Sequence, residues 1–270
     1  MARMRSLLTI ALGLLLLSAG CGQQPQLVEP PLVEWMAQIS RGVTPAERVR
    51  AAQRVGDWPA GEVAGRVAAL RQGLSDADWT VRRAAALGLA KLGPAALPAK
   101  VQLLQGLGDP AFDASLAMQQ AVKALGPQVV PDLIALARGG DGSLREMAVS
   151  TLGGMAAEAG EQAGAAVQAL LPLLGSPRLD VRWVALENLK HFVRAAPQAA
   201  QPALEAVAAC AAGTTESLRV RVSALGVLAE FDRAKSLTGR GAQVYAAALQ
   251  DANPAVRQAA QALRALAHQE

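Results

Sequence analysis

One string recurs along most of this chain. Between Asp76 and Gly93 it reads DADWTVRRAAALGLAKLG, with Val81, Ala85, Leu89 and Leu92 in steps of four, four and three. Residues so spaced share one face of a helix. The pattern returns at Leu144, Ala148, Leu152 and Met155, at Val181, Ala185, Leu189 and Phe192, and at Val220, Ala224, Leu228 and Phe231. Asp251 to Leu266 starts another copy with Val256, Arg257 and Ala260, and Asp109 to Gly126 is a degenerate one. Thr44 to Gly56 looks like a first copy, with Thr44-Pro45 as an N-cap and first-turn pair. The arginines following Leu144, Val181, Val220 and Val256 stand 37, 39 and 36 residues apart. A period in the high thirties suits a two-helix unit that cannot bury its apolar face alone and must stack on its neighbours.

Gly93-Pro94 supplies the corner of such a unit, since glycine accepts a left-handed cap and proline bars continuation of the helix. Leu125-Gly126-Pro127 repeats the device. The segment after Gly93-Pro94 places Leu97, Val101, Leu104 and Leu107 on one face of a second helix. Alanine and leucine dominate, and only 3% of residues are aromatic. Small residues at the helix centres, such as Ala84-Ala85-Ala86 and Ala259-Ala260, let helices approach closely. The expectation is an all-α chain.

The string Asp-x4-Val-Arg-x2-Ala, closing on Leu-Gly, resembles the HEAT repeat, especially the short bacterial form found in bilin-lyase-like proteins. The resemblance covers roughly residues 44 to 270. It implies a right-handed α-solenoid of stacked two-helix repeats. Asp76 with Arg82 and Asp251 with Arg257 match the family's Asp-Arg pair, whose side chains link neighbouring repeats. The second helices of such arrays line the concave face. Here those helices carry Gln102, Gln105, Gln168, Glu205, Gln243 and Tyr245, which the resemblance makes the candidate partner-binding surface. With no dominant charge, that surface suits a protein or peptide rather than a polyanion.

The start of the chain has a separate logic. Arg3 and Arg5 precede an uncharged run from Leu7 to Leu17, too short for the ~20 residues a bilayer crossing needs. Such a run suits an export signal. Leu17-Ser18-Ala19-Gly20-Cys21 then resembles a bacterial lipobox, with Ser18 where leucine usually stands. That resemblance implies cleavage before Cys21 and its lipidation. Gly22 rather than aspartate after the cysteine implies outer-membrane sorting in a host with two membranes. Gly22 to Pro31 holds three prolines and three glutamines and reads as an extended tether. Leu32 to Ser40 reads as a short helix docking on the first repeat, with Trp35 as its anchor. The expected divisions are therefore 1–20 signal, 21–43 lipidated cysteine and tether, and 44–270 repeat array.

Motifs for chemistry are scarce. His191 and His268 have no acidic neighbour, so the His-Glu pairs of di-iron HEAT hydroxylases are missing, and no CxxC, HExxH, P-loop or GxSxG string occurs. No catalytic residue, metal or cofactor is implied. Cys210, flanked by alanines, reads as inert core. Arg82, Arg182, Arg221 and Arg257 read as an inter-repeat ladder rather than a basic stripe. Trp79 and Trp183 flank that motif and should pack at repeat junctions, or act as binding anchors if exposed. The formal charge of +4 falls to +2 without Arg3 and Arg5, which gives no nucleic-acid footprint. The expected function is a membrane-anchored, non-enzymatic protein-interaction scaffold of the cell envelope. The alternative is a bilin-lyase-like enzyme or chaperone acting on a bound ligand or modified protein. A DNA-binding, HEAT-like glycosylase is opposed by the export signal and the near-neutral charge.

Overall fold

The computed structural model describes residues 29–59 and 61–267. The apolar run at Leu7–Leu17, Cys21 and His268 lie outside the described residues. Within them the chain is an all-α solenoid of stacked two-helix repeats, and no helix there is long and apolar enough to cross a membrane.

An opening helix, α1 (Leu32–Arg41), buries Leu32, Trp35 and Ile39 along one stripe and packs on α2 (Pro45–Asp57) and α3 (Val63–Gly73). Trp35 is thus the expected anchor. A capping box starts α2: the Thr44 hydroxyl accepts from the Glu47 amide at 3.2 Å, and the Glu47 carboxylate accepts from the Thr44 amide at 3.1 Å. This arrangement satisfies two donors that a helix start leaves open. At its other end, buried Arg66 of α3 donates to the carbonyls of Val55 and Gly56 at 2.8 and 3.0 Å. Burial lowers the pKa of that guanidinium.

The remaining repeats follow in order. They are α4 (Trp79–Leu92) with α5 (Lys100–Gly106), α6 (Phe112–Ala124) with α7 (Val130–Gly139), and α8 (Gly142–Gly154) with α9 (Ala163–Leu174). Next come α10 (Leu179–Ala195) with the one-turn α11 (Pro197–Ala200) and α12 (Leu204–Ala212), then α13 (Leu218–Arg233) with α14 (Gly239–Ala248), and lastly α15 (Pro254–Ala267). First helices form one row, α2-α4-α6-α8-α10-α13-α15, each packed on the next. The row is close because its contacts are small: a Cβ added to Gly56 of α2 would lie 2.7 Å from the Gly88 Cα of α4. Ala85, Ala148, Ala185, Ala224 and Ala260 are fully buried in it, as the repeat pattern predicts.

The second helices depart from expectation. Gly93, at φ +58°, opens a 3-10 turn over Gly93–Ala99, and only then does α5 begin. Pro98 lies inside that turn, and three residues per turn rather than 3.6 shifts the helical phase. The buried face is therefore Ala96, Ala99, Leu103 and Leu107, with Leu104 beside it, while Leu97 and Val101 are exposed. Gly139 forms the last residue of α7. Gly140 and Gly213 stop their helices without a left-handed backbone. What favours glycine at 140 is space, since a Cβ there would lie 2.6 Å from the Leu136 carbonyl.

Candidate functional site

Along one edge of the solenoid, where each second helix turns into the next first helix, arginines staple successive loops. Arg48 grips Asp76 with two hydrogen bonds, Nε to Oδ2 at 2.6 Å and Nη2 to Oδ1 at 2.9 Å. Arg82 grips Asp109 in the same way, at 2.7 and 2.8 Å. Arg182 reaches Glu216 at 2.9 Å, and Arg221 is paired with Asp251. Forked contacts of this kind are the stronger class of ion pair. The sequence expectation of a ladder holds for Arg82, Arg182 and Arg221, with its register now defined, whereas Arg257 bonds only the Asp251 and Ala252 carbonyls. Each paired arginine takes the acid of the following repeat, while its own loop supplies only a backbone carbonyl, as Asp76 does for Arg82.

The rungs set the ionisation of their acids. The Arg48 hydrogen bond holds the Asp76 carboxyl below the ordinary range, and the Arg221 bond does the same for Asp251. At Asp109 burial pushes upward, but the Arg82 hydrogen bond, the Ala111 amide and the Arg82 charge together prevail and lower it.

The three loop aspartates also accept the amide two residues on: Asp76 from Asp78, Asp109 from Ala111, Asp251 from Asn253. Ser176 makes the equivalent contact, its Oγ accepting from the Arg178 amide at 3.2 Å. Its carbonyl also receives Arg182 Nη1 at 2.6 Å, as the Asp76 carbonyl receives Arg82. Ser176 therefore occupies the acid's place without a carboxylate. The arginine one repeat earlier is Arg145. It is half-buried, and its Nε is buried with no hydrogen-bond partner among the described residues. Arg182 also has an unpartnered Nε, but both of its terminal nitrogens are bonded. In the preceding repeat, Ser115 replaces the arginine and turns its hydroxyl to the Leu107 carbonyl at 2.6 Å.

Where the rung is missing, the solenoid opens. A cavity of about 610 Å³ lies between the α7–α8 and α9–α10 loops. Its charged rim is Arg138, Arg145, Arg178 and Glu146, over an apolar floor that includes Val149, Leu173 and Val181. Val81, Val220 and Val256 are fully buried at the position that Val181 holds, whereas Val181 is only half-buried. Arg178 and Glu146 pair across the opening at 3.0 Å, Arg178 exposed and Glu146 half-buried.

The same edge carries a strip of apolar side chains. Trp79, Phe112, Leu179 and Leu218 are each the first residue of their helices α4, α6, α10 and α13, and all are exposed, Phe112 by 69%. The exposed Trp79 therefore does not pack at a junction. Trp183 does, half-buried with Arg219 stacked 3.5 Å above its ring centre, which joins α10 to α13.

The second-helix candidates separate. Gln105, Gln168, Glu205 and Gln243 are exposed, and Gln168 lines the cavity. Gln102 is half-buried and accepts from Arg71 Nε at 2.9 Å, a link between α3 and α5. Tyr245 is a correction: only 4% exposed, it lies in the core with an unpartnered hydroxyl, and burial pushes its pKa up to about 12. Cys210 is buried, and desolvation raises its thiol pKa, which suits an inert residue. His191 is exposed, and the described residues contain no cluster of three or more metal-ligating side chains. Sequence reasoning did not single out Arg145, Ser176, Phe112, Leu179 or Leu218. The signal was present in the loop register, where serine stands in place of aspartate.

Comparison with family models supports the repeat architecture. A family model described as HEAT repeat matches residues 67–96, which run from α3 through α4 into the following turn. Comparison with curated protein sequences gave no match. Among solved structures, the crystal structure of a computationally designed armadillo repeat protein for modular peptide recognition is similar. It shows 18% identity and a TM-score of 0.43, covering 86% of this chain and 98% of that one. A crystal structure of an engineered protein, a structural genomics target, is similar at 18% identity and a TM-score of 0.38. That match covers 88% of this chain and 97% of the other.

Proposed function

We propose that this chain is an interaction scaffold tethered to a membrane surface, holding a protein partner without transforming it. The binding half of this reading rests on the apolar strip. Exposed Trp79, Phe112, Leu179 and Leu218 recur at one helical position along one edge, so they are a patterned surface rather than scattered residues. Large exposed apolar side chains in register, tryptophan among them, are what a partner's contact surface requires. The exposed Gln105, Gln168, Glu205 and Gln243 on the second helices add polar groups able to orient a polypeptide.

The anchoring half rests on the sequence. Signal cleavage before Cys21 and its acylation attach the chain to the bilayer, and residues 22–31 hold the repeats away from it. In a host with two membranes, Gly22 directs it to the outer one.

The test is made in the native host. Wild type, Cys21→Ser and the double variant Trp79→Ala/Phe112→Ala are grown with a clickable fatty acid, crosslinked, and fractionated. The expected result is label that depends on Cys21, and an envelope protein crosslinked to wild type but lost from the double variant. Absence of label overturns the anchor. Crosslinks indifferent to the double variant overturn the apolar strip as the contact surface.

A further inference from the structure

We propose that the cavity between the α7–α8 and α9–α10 loops is a carboxylate-binding subsite, in which a partner peptide's acidic group supplies the rung that Ser176 leaves empty. This rests on the reading of the chain as a polypeptide-binding scaffold and names the chemistry of one anchor.

Four observations converge on it. The loop register identifies Ser176 as the place of the ladder acid, because Ser176 makes both backbone contacts that Asp76 makes. The arginine due to meet that acid is Arg145, and its Nε is buried without a partner. Burying a guanidinium nitrogen unpaired is costly, and an incoming acceptor removes that cost. The rim of the cavity holds three arginines, Arg138, Arg145 and Arg178, against one glutamate, Glu146, so the local charge favours an anion. Glu146 is already held by Arg178, and Arg178 also bonds Asp180, so neither acid reaches Arg145.

The shape selects among anions. Val149, Leu173 and Val181 line the floor, and about 610 Å³ accommodates an acidic side chain together with an aliphatic neighbour. Gln168 stands on the wall, where it can bond the peptide backbone. Exposed Leu179, the first residue of α10, continues the apolar strip beside the cavity mouth. A short aliphatic-acidic-aliphatic segment of polypeptide satisfies all of these features. A bare inorganic anion would leave the floor uncovered.

The probe is a pool of N-acetylated, C-amidated heptapeptides with a fixed central Glu and randomised aliphatic neighbours. It is run on immobilised full-length protein against the same pool with central Gln. A third pool, with central Gln and a free C-terminal carboxylate, separates side-chain from terminal acids. Wild type should retain one of the two acidic pools at least about tenfold over the neutral pool, the size expected for a hydrogen-bonded charge. That preference should vanish in Arg145→Gln and also in Ser176→Asp, which fills the rung from within. Ser176→Asp should melt no lower than wild type, so its loss of binding cannot be ascribed to misfolding.

Equal retention of all pools by wild type, or a preference that survives Arg145→Gln, overturns the subsite. If the pools are retained equally but lost in Trp79→Ala/Phe112→Ala, the subsite fails while the scaffold reading stands. If no pool is retained, the subsite fails, and the crosslinking experiment decides the scaffold reading by itself.

Discussion

The repeats around α4 and those around α8 and α10 are built from one pattern but are closed differently. At α4 the rung is complete on both sides, Arg48 to Asp76 and Arg82 to Asp109, and Val81 beneath it is fully buried. From α6 to α10 two successive rungs fail, first for want of an arginine at Ser115, then for want of an acid at Ser176. The first-helix row continues through the gap: Ala148, Leu152, Ala185 and Leu189 are all fully buried. What changes is the edge, where Leu144 and Val181 lose cover and a cavity forms. The core and the ladder therefore do separate work. Apolar stacking makes the solenoid continuous, and the rungs decide whether adjacent loops are sealed or left open for something else.

The sharpest way to break this comparison is to place a charge at the equivalent position in both regions. Val81→Lys buries an unpaired ammonium under a closed rung and should cost about 3–5 kcal/mol, enough to unfold the first repeats. Val181→Lys puts the same group at a half-buried position lining an open cavity, where water reaches it although Arg138, Arg145 and Arg178 repel it, and should cost about 1–2 kcal/mol. Urea denaturation followed by circular dichroism reads both. Equal losses would mean that the edge at α10 is as tightly closed as that at α4.

Removing one rung is the next largest change. In the Arg82–Asp109 pair the side chains are 15% and 7% exposed, between the surface and buried extremes. Asp109→Ala should accordingly cost about 1–3 kcal/mol, and Asp141→Ala, at an exposed loop residue where no rung forms, almost nothing. The same rungs predict an acid dependence. Asp76, Asp109 and Asp251 all have folded-state pKa values below the ordinary carboxylate range. Their contribution is complete above the unfolded value of about 3.9 and drains away as pH falls through the lower folded values. Melting temperature should drop steeply below pH 4, and Asp109→Asn should flatten that drop. A drop centred near pH 6 would point to a different group.

These contrasts also show what the sequence makes legible. The first helices were readable because alanine and branched aliphatics at 3.6-residue spacing leave one burial phase open to them, and Ala85, Leu89, Phe192 and Phe231 are buried accordingly. The second helices were less so. They are short, α5, α7, α9 and α12 enter through 3-10 turns, and Pro98 turns Leu97 and Val101 outward although the spacing alone puts them inside. Tyr245 was misplaced for a related reason. A hydroxyl marks a residue as polar, but the position falls on the packed face of α14 and the ring is taken into the core. The ladder arginines were visible as a pattern, whereas their partners depend on how far one repeat is displaced from the next. Arg145 stands out only when the loops are superimposed and serine is found where the others have an acid.

The smallest expected effect is also the most direct test of that superposition. Ser176→Asp places a carboxylate at the site that already accepts the Arg178 amide and already offers its carbonyl to Arg182. If the register is right, the new acid meets Arg145 Nε as Asp109 meets Arg82, and a buried donor that now lacks a partner gains one. The gain should be about 0.5–1.5 kcal/mol, because the backbone around Ser176 needs no rearrangement to make the pair. Combining it with Arg145→Gln should erase the gain, since a double-mutant cycle isolates the pair from any general effect of added negative charge. Hydrogen exchange should slow at residues 142–146 and 176–182 while leaving the α4 region unchanged. If Ser176→Asp adds no stability, or adds as much in the Arg145→Gln background as beside the native arginine, the two loops are not held in ladder register, and the cavity would have to be explained without a missing rung.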